Sequence, residues 1–190
     1  MEKNQMKKSI AIVALIGTAM LAQAEFKELQ INGSFESLDN NNMPVKWVNN
    51  DVFKAEGKLG KVTVLTEGAQ DGRNCVEIKT SPSELVHFFS LNLTDVKPGD
   101  KIRISYYIKG TGNIRAGVYV YSAKTEWLDS FVQETESINA KDWTLKEVTL
   151  EVPDKEYAGK GKTGKIRPLF QFDGDASLQI DNVKFSVENK

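Results

Sequence analysis

Two acids near opposite ends of the chain, Glu36 and Asp181, are the residues whose setting first suggests chemistry. Glu36 closes the run Ile31-Asn32-Gly33-Ser34-Phe35-Glu36, which holds a large apolar side chain, a turn dipeptide and a carboxylate. Asp181 stands in Leu178-Gln179-Ile180-Asp181-Asn182-Val183, where apolar residues alternate at 178 and 180 and then resume at 183, 185 and 187. Strand side chains alternate between faces, so the phase slips by one residue at Asp181-Asn182. A β-bulge absorbs such a slip and re-aims the side chain beside it. If the two segments are neighbours at a sheet margin, the two acids come together. Paired carboxylates repel unless a cation lies between them, and calcium takes oxygens of this kind. The alternative is two solvated acids on a rim, and spacing alone leaves both open.

A second set of candidates lies on two strand-like runs. In Ile114–Tyr121, Ile114, Ala116, Val118 and Val120 share one face, while Arg115, Gly117, Tyr119 and Tyr121 share the other. In Ile166–Phe172, Ile166, Pro168, Phe170 and Phe172 face one way, and Arg167, Leu169 and Gln171 the other. The first set in each run suits a core. The second sets join aromatic rings to planar polar groups, with few Lys or Glu. Such a face suits stacking on sugar rings while Arg and Gln bond the hydroxyls. The alternative is that Tyr119 and Tyr121 pack beneath a loop.

Other chemistries lack their parts. A hydrolase triad needs a histidine beside a nucleophile and an acid. The single histidine, His87, sits instead among Val86, Phe88 and Phe89 in an apolar strand. Transition-metal sites want several His or Cys, and the chain has one of each, His87 and Cys75. Gly159-Lys160-Gly161-Lys162-Thr163 is superficially like a phosphate loop, but no apolar strand precedes it at the right spacing. Scattered acids could supply a glycosidase pair. They are also the default on a soluble surface, so the expectation is a non-enzyme. The net charge of -1, with acids and bases interspersed, offers no basic stripe for nucleic acid.

The elements that must position these residues read as β throughout. Apolar residues alternate in Val62–Leu65, Val76–Ile78, Ile102–Ile108, Ile114–Tyr121, Val148–Val152, Ile166–Phe172 and Leu178–Val187. Val, Ile, Tyr, Phe and Thr dominate these runs, as strands prefer. Turn signals separate them, among them Asp39-Asn40-Asn41-Asn42, Lys97-Pro98-Gly99-Asp100 and Gly110-Thr111-Gly112-Asn113. Many short strands at near-regular spacing predict an all-β, two-sheet antiparallel β-sandwich or jelly roll. Nothing supports a long helix. Ser130–Asn139 has poor apolar spacing and reads as a short turn. Glu156–Lys165, rich in Gly and Lys, reads as a loop.

Residues 1–24 read as a cleaved secretory signal. Lys3, Lys7 and Lys8 precede an apolar run from Ile10 to Leu21, and Ala22-Gln23-Ala24 is a small-x-small cleavage site. The run is shorter than a membrane span requires. Cleavage after Ala24 would leave one secreted or periplasmic domain over 25–190, expected to be a monomer. With Cys75 as its one cysteine, that domain has no internal disulfide, so packing or a bound ion must hold it.

The ordered motifs carry a family resemblance. Asn32-Gly33-Ser34-Phe35-Glu36 followed by Met43-Pro44-Val45-Lys46-Trp47 resembles the opening of carbohydrate-binding modules of families four, nine and twenty-two. Lys97-Pro98-Gly99-Asp100-Lys101, Ile104–Gly110, the strand after Trp143 and Ile180-Asp181-Asn182-Val183 resemble the rest of such a module. The resemblance implies a galactose-binding-like jelly roll with a concave face for a polysaccharide or oligosaccharide. It implies a structural calcium on Glu36 and Asp181, with Ser34 as a further ligand. It places Arg167 and Gln171 on the glycan-contacting strand and completes the platform with Tyr119, Tyr121 and Phe89 or His87. Trp127 suits either platform or support, and Trp47 suits the core. The function implied is secreted, non-catalytic carbohydrate binding. The alternatives are a cell-surface structural or adhesive module without a sugar ligand, and a small jelly-roll lyase or glycosidase using His87, Tyr119 and Arg167.

Overall fold

The computed structural model describes residues 26–49 and 60–188. The signal-sequence expectation for residues 1–24 therefore lies outside the described residues.

Ten strands are described: β1 (Lys27–Glu28), β2 (Trp47–Asn49), β3 (Lys61–Leu65), β4 (Cys75–Thr80), β5 (Leu85–Ser90), β6 (Thr94–Asp95), β7 (Lys101–Ser122), β8 (Trp127–Val132), β9 (Glu136–Glu151) and β10 (Thr163–Glu188). Every pairing is antiparallel. The two longest strands, β7 and β10, pair along almost their whole length, from Thr163↔Ser122 to Glu188↔Lys101.

These two strands run through both layers of the sandwich. Phe170 and Phe185 both belong to β10, yet their ring centroids are 6.3 Å apart. A straight strand would separate them by about 50 Å at roughly 3.3 Å per residue. The strand therefore folds over between them, at the register shift between Asp173 and Ser177. The same turn in β7 falls at Gly112, whose φ is +141° and where an added Cβ would lie 2.5 Å from the Ala176 Cβ. Only a residue without a side chain fits that corner.

One layer thus runs β2-β5-β10-β7-β8, using the first half of β10 and the second half of β7. The other runs β3-β4-β10-β7-β9, using the opposite halves, with β1 beside the end of β10. Between them lies the core. Ile114, Ala116, Val118, Val120, Ile166, Phe170 and Phe172 line it from the first layer, as their alternation predicts. Ile102, Ile104, Tyr106, Ile108, Leu178, Ile180 and Phe185 line it from the second. Trp47 joins them at 2% exposure, stacked on Phe88 at 4.8 Å, with its indole N–H donating to the Ile31 carbonyl at 2.6 Å.

The structure departs from expectation at Ser130–Asn139. This segment is not a turn but the end of β8, a short link and the start of β9. Its residues lie at a sheet edge, where one face is wet and the apolar period that marks inner strands fades. Likewise, only part of Glu156–Lys165 is loop, because β10 already begins at Thr163.

Candidate glycan-binding face and carboxylate clamp

The outward face of the first layer is a register grid. β10 is its central strand, with β5 on one side and β7 on the other. Gln171 lies between His87 and Arg115, Leu169 between Phe89 and Gly117, and Arg167 beside Tyr119. Lys165 pairs with Tyr121, and Tyr121 pairs in turn with Trp127 of β8. Directly paired residues share a face. The next residue along, Leu128, is in the core, which sends Trp127 to the outside with Tyr121. All seven predicted contact residues, Tyr119, Tyr121, Arg167, Gln171, Phe89, His87 and Trp127, are thus brought to one face.

They do not play the same part there. Leu169 is fully buried beneath Phe89 and Tyr119, whose rings meet edge to face at 5.1 Å. Tyr119 and Phe89 are each 4% exposed and Gln171 7%. The Tyr119 hydroxyl and His87 Nδ1 share a hydrogen bond at 2.5 Å. Burial pushes the Tyr119 phenol up to about 12. Burial first, and then the Arg115 charge, pull His87 down to about 4. Both are neutral at pH 7, so the pair is a fixed dipolar contact with no ionic character. Tyr119, Phe89 and Gln171 form a floor.

The accessible part is the strip beside it. The Arg167 guanidinium lies over the Tyr121 ring at 5.0 Å, a cation–π distance. Burial raises the Tyr121 phenol, and the Arg167 charge partly offsets that. Trp127 is 51% exposed, the largest exposure of any large apolar residue in the described chain. Ordinary folding leaves few indoles this open, and this one is paired across the strands with Tyr121, so its face is available for stacking. Arg115 closes the far end of the face in an ion pair with Asp173.

The second candidate site behaves differently from its forecast. The phase slip read at Asp181-Asn182 is present as a register shift between Asp181 and Lys184, and Asn182 adopts a φ of +46°. The chain ends are adjacent, with Val183 N–H donating to the Gly33 carbonyl at 2.8 Å and β1 paired to β10. Both carboxylates, however, meet amide hydrogens. Asp181 Oδ2 accepts from the backbone N–H of Gln70 at 2.8 Å and of Asp71 at 2.9 Å, and Oδ1 from Asn182 at 2.6 Å. Glu36 Oε1 accepts from Arg73 N–H at 2.8 Å and Asn74 N–H at 2.7 Å. The two acids clamp one turn, residues 70–74, between the chain termini.

This arrangement fits calcium poorly. The ion wants six to eight oxygens, and here Asp181 Oδ2 and Glu36 Oε1 each accept two N–H donors and Asp181 Oδ1 a third, which leaves few carboxylate lone pairs for it. Ser34 lies in the Asn32–Phe35 turn that precedes Glu36, with no described contact to either acid. Among the described residues no group of three or more His, Cys, Asp or Glu is placed to hold a metal ion. Burial raises the Asp181 carboxyl despite its three amide donors, and Asp71 adds to the rise. The amide clamp was not legible in the sequence. Its one signal was Asp71-Gly72, a turn dipeptide far from either acid in the chain.

No family model matches the chain, and no curated protein matches it by sequence. Solved structures do. The CBM22-1 xylan-binding domain of Xyn10C from Paenibacillus barcinonensis aligns with a TM-score of 0.55 at 15% identity, covering 89% of this chain and 99% of that one. A Stig cyclase, Fisc, from Fischerella sp. TAU aligns at 0.56 and 16%, covering 87% and 99%. The enzymatically active domain of bacteriophage CBA120 tailspike protein 4 aligns at 0.55 and 13%, covering 82% of this chain, which spans only 20% of that one. Identities this low speak to architecture alone, an antiparallel β-sandwich of the jelly-roll type that a xylan-binding domain and a cyclase share.

Proposed function

We propose that this protein binds a polysaccharide, without cleaving it, on the outward face of the β2-β5-β10-β7-β8 layer. The observation that carries this is the exposed strip of Trp127, Tyr121 and Arg167 set on a rigid floor of Tyr119, Phe89, Leu169 and Gln171. Two rings at a paired position on adjacent strands suit a stack of sugar rings, and the guanidinium supplies directed donors to oxygen. The xylan-binding domain that shares the fold supports the ligand class. Affinity would be modest, on the order of 10 μM to 1 mM, because each stacked ring and hydrogen bond replaces water contacts. The signal-like leader makes export the compatible location, and the protein acts as a monomer in this scheme. Affinity electrophoresis on a panel of plant, algal and microbial polysaccharides tests it. Retardation on at least one, lost in Trp127→Ala, is expected. No retardation on any would refute it.

A second reading rests on the 2.5 Å His87–Tyr119 contact. A phenol and an imidazole so joined resemble an acid–base pair, and the fold also occurs in a cyclase. At 4% exposure Tyr119 is poorly placed to reach a substrate, which favours binding over cleavage. Release of reducing ends or unsaturated products, abolished in His87→Ala, would reverse that preference.

A further inference from the structure

Arg167 is an anomaly in the charge pattern of this face. Its two cationic neighbours are neutralised: Arg115 pairs with Asp173, and Lys165 Nζ lies 2.7 Å from Asp95 Oδ1. Arg167 has no carboxylate partner among the described residues. Its Nε is buried and makes no hydrogen bond, and its guanidinium lies over the Tyr121 ring and bonds the Tyr121 hydroxyl, a neutral group that leaves the charge uncompensated. A partly desolvated charge without a counter-ion is costly, and a buried N–H without an acceptor adds to the cost. A folded protein tolerates this where a ligand supplies the missing partner.

We propose that the missing partner is a sugar carboxylate, so that the face selects uronate-containing polysaccharides over neutral ones. This rests on the carbohydrate-binding reading above and adds the ligand's charge to it. The guanidinium is a planar fork of N–H donors whose geometry matches a carboxylate in two parallel bonds. Neutral hydroxyls can accept from the same donors but leave the charge uncompensated. The stack on Tyr121 holds the fork in place before the ligand arrives, so little further ordering is needed on binding. Among the described residues, the two acids that neighbour the other cations of this face, Asp173 and Asp95, are engaged by Arg115 and Lys165. Tyr121 and Trp127 then carry the neighbouring sugar rings.

The experiment compares polygalacturonate, alginate and glucuronoxylan, each beside its own carboxyl-reduced form, by isothermal titration with the exported chain. At least one polyuronate should bind tenfold or more tighter than its reduced form. That ratio should shrink as sodium chloride is raised, because an exposed ion pair is screened. Arg167→Gln should bring the ratio close to one without lowering the melting temperature, and Arg167→Lys should restore part of the ratio. Equal or tighter binding to the reduced polymers would overturn the inference and leave the carbohydrate-binding reading standing. A ratio unaffected by Arg167→Gln would overturn the assignment to this residue. Binding to none of the six polymers or to any neutral glycan would remove both.

Discussion

Replacing Asp181 tests whether amide hydrogens or a metal ion hold the chain ends together. Its carboxylate is fully buried and accepts three backbone N–H bonds, two of them from the turn at 70–71. Asp181→Ala removes both acceptor oxygens and with them all three bonds. A buried donor left unsatisfied costs about 1–3 kcal/mol. The turn residues are close to solvent, so water takes up part of that loss, and removing a desolvated charge returns some energy. A net loss of about 3 kcal/mol follows. With a urea slope of about 2 kcal/mol/M, the unfolding midpoint at pH 7 should fall by roughly 1.5 M. The conservative change at the partner acid separates the two explanations. Glu36→Gln keeps a carbonyl oxygen for the Arg73 and Asn74 N–H groups, so about 1 kcal/mol or less should be lost. A calcium ligand set would lose its charge in the same substitution and suffer more. Chelator should leave the melting temperature of the native protein unchanged, since nothing that binds only the folded state is withdrawn. A drop of several degrees on chelation, or a Glu36→Gln loss matching Glu36→Ala, would refute the amide account and restore calcium to the site.

Three further outcomes are expected. Between pH 6.5 and about 4 the unfolded chain takes up a proton at His87 that the folded chain refuses, so stability declines as pH falls through that window. His87→Asn should show a shallower decline over the same range in urea titrations at stepped pH, and an equal slope would mean that His87 is solvated in the fold. Gly72→Ala, at a φ of +67° and with its Cβ directed 2.6 Å from Glu36 Oε1, should destabilise the clamp by about 1–3 kcal/mol, measured by chemical unfolding. Phe170→Ala should cost about 3–5 kcal/mol, because its ring meets Trp47, Tyr106 and Phe185 across the core. A thermal shift of less than a few degrees in that variant would contradict the two-layer description of β10.

Much of this was legible from residue order because strand alternation is a local property. The inward sets Ile114-Ala116-Val118-Val120 and Ile166-Pro168-Phe170-Phe172 declare themselves by a period of two, and their partners on the opposite face follow without further information. The bulge at Asp181 was legible for the same reason, as a break in that period. β8 and the first half of β9 were not, because edge strands bury little and their side chains answer to solvent on more than one side. Nor did alternation reveal that β7 and β10 each serve two layers. A strand and its continuation past a corner look alike in sequence, and only the contact between Phe170 and Phe185 separates them.

Alternation put Tyr119, Tyr121, Arg167 and Gln171 on the outward faces of their strands, the family resemblance added Phe89, His87 and Trp127, and the strand register brought all seven to one side of a sheet. Their division into a buried floor and an accessible strip was decided in three dimensions, where the Tyr119 and Phe89 rings close over Leu169 while Trp127, at the margin, has nothing above it to cover most of its surface. The same holds for Glu36 and Asp181. That the two ends of the chain lie side by side could be anticipated, but what the two acids grip could not. The turn at 70–74 reaches them only through tertiary packing, and backbone amides, common to nearly every residue, leave no mark in a sequence.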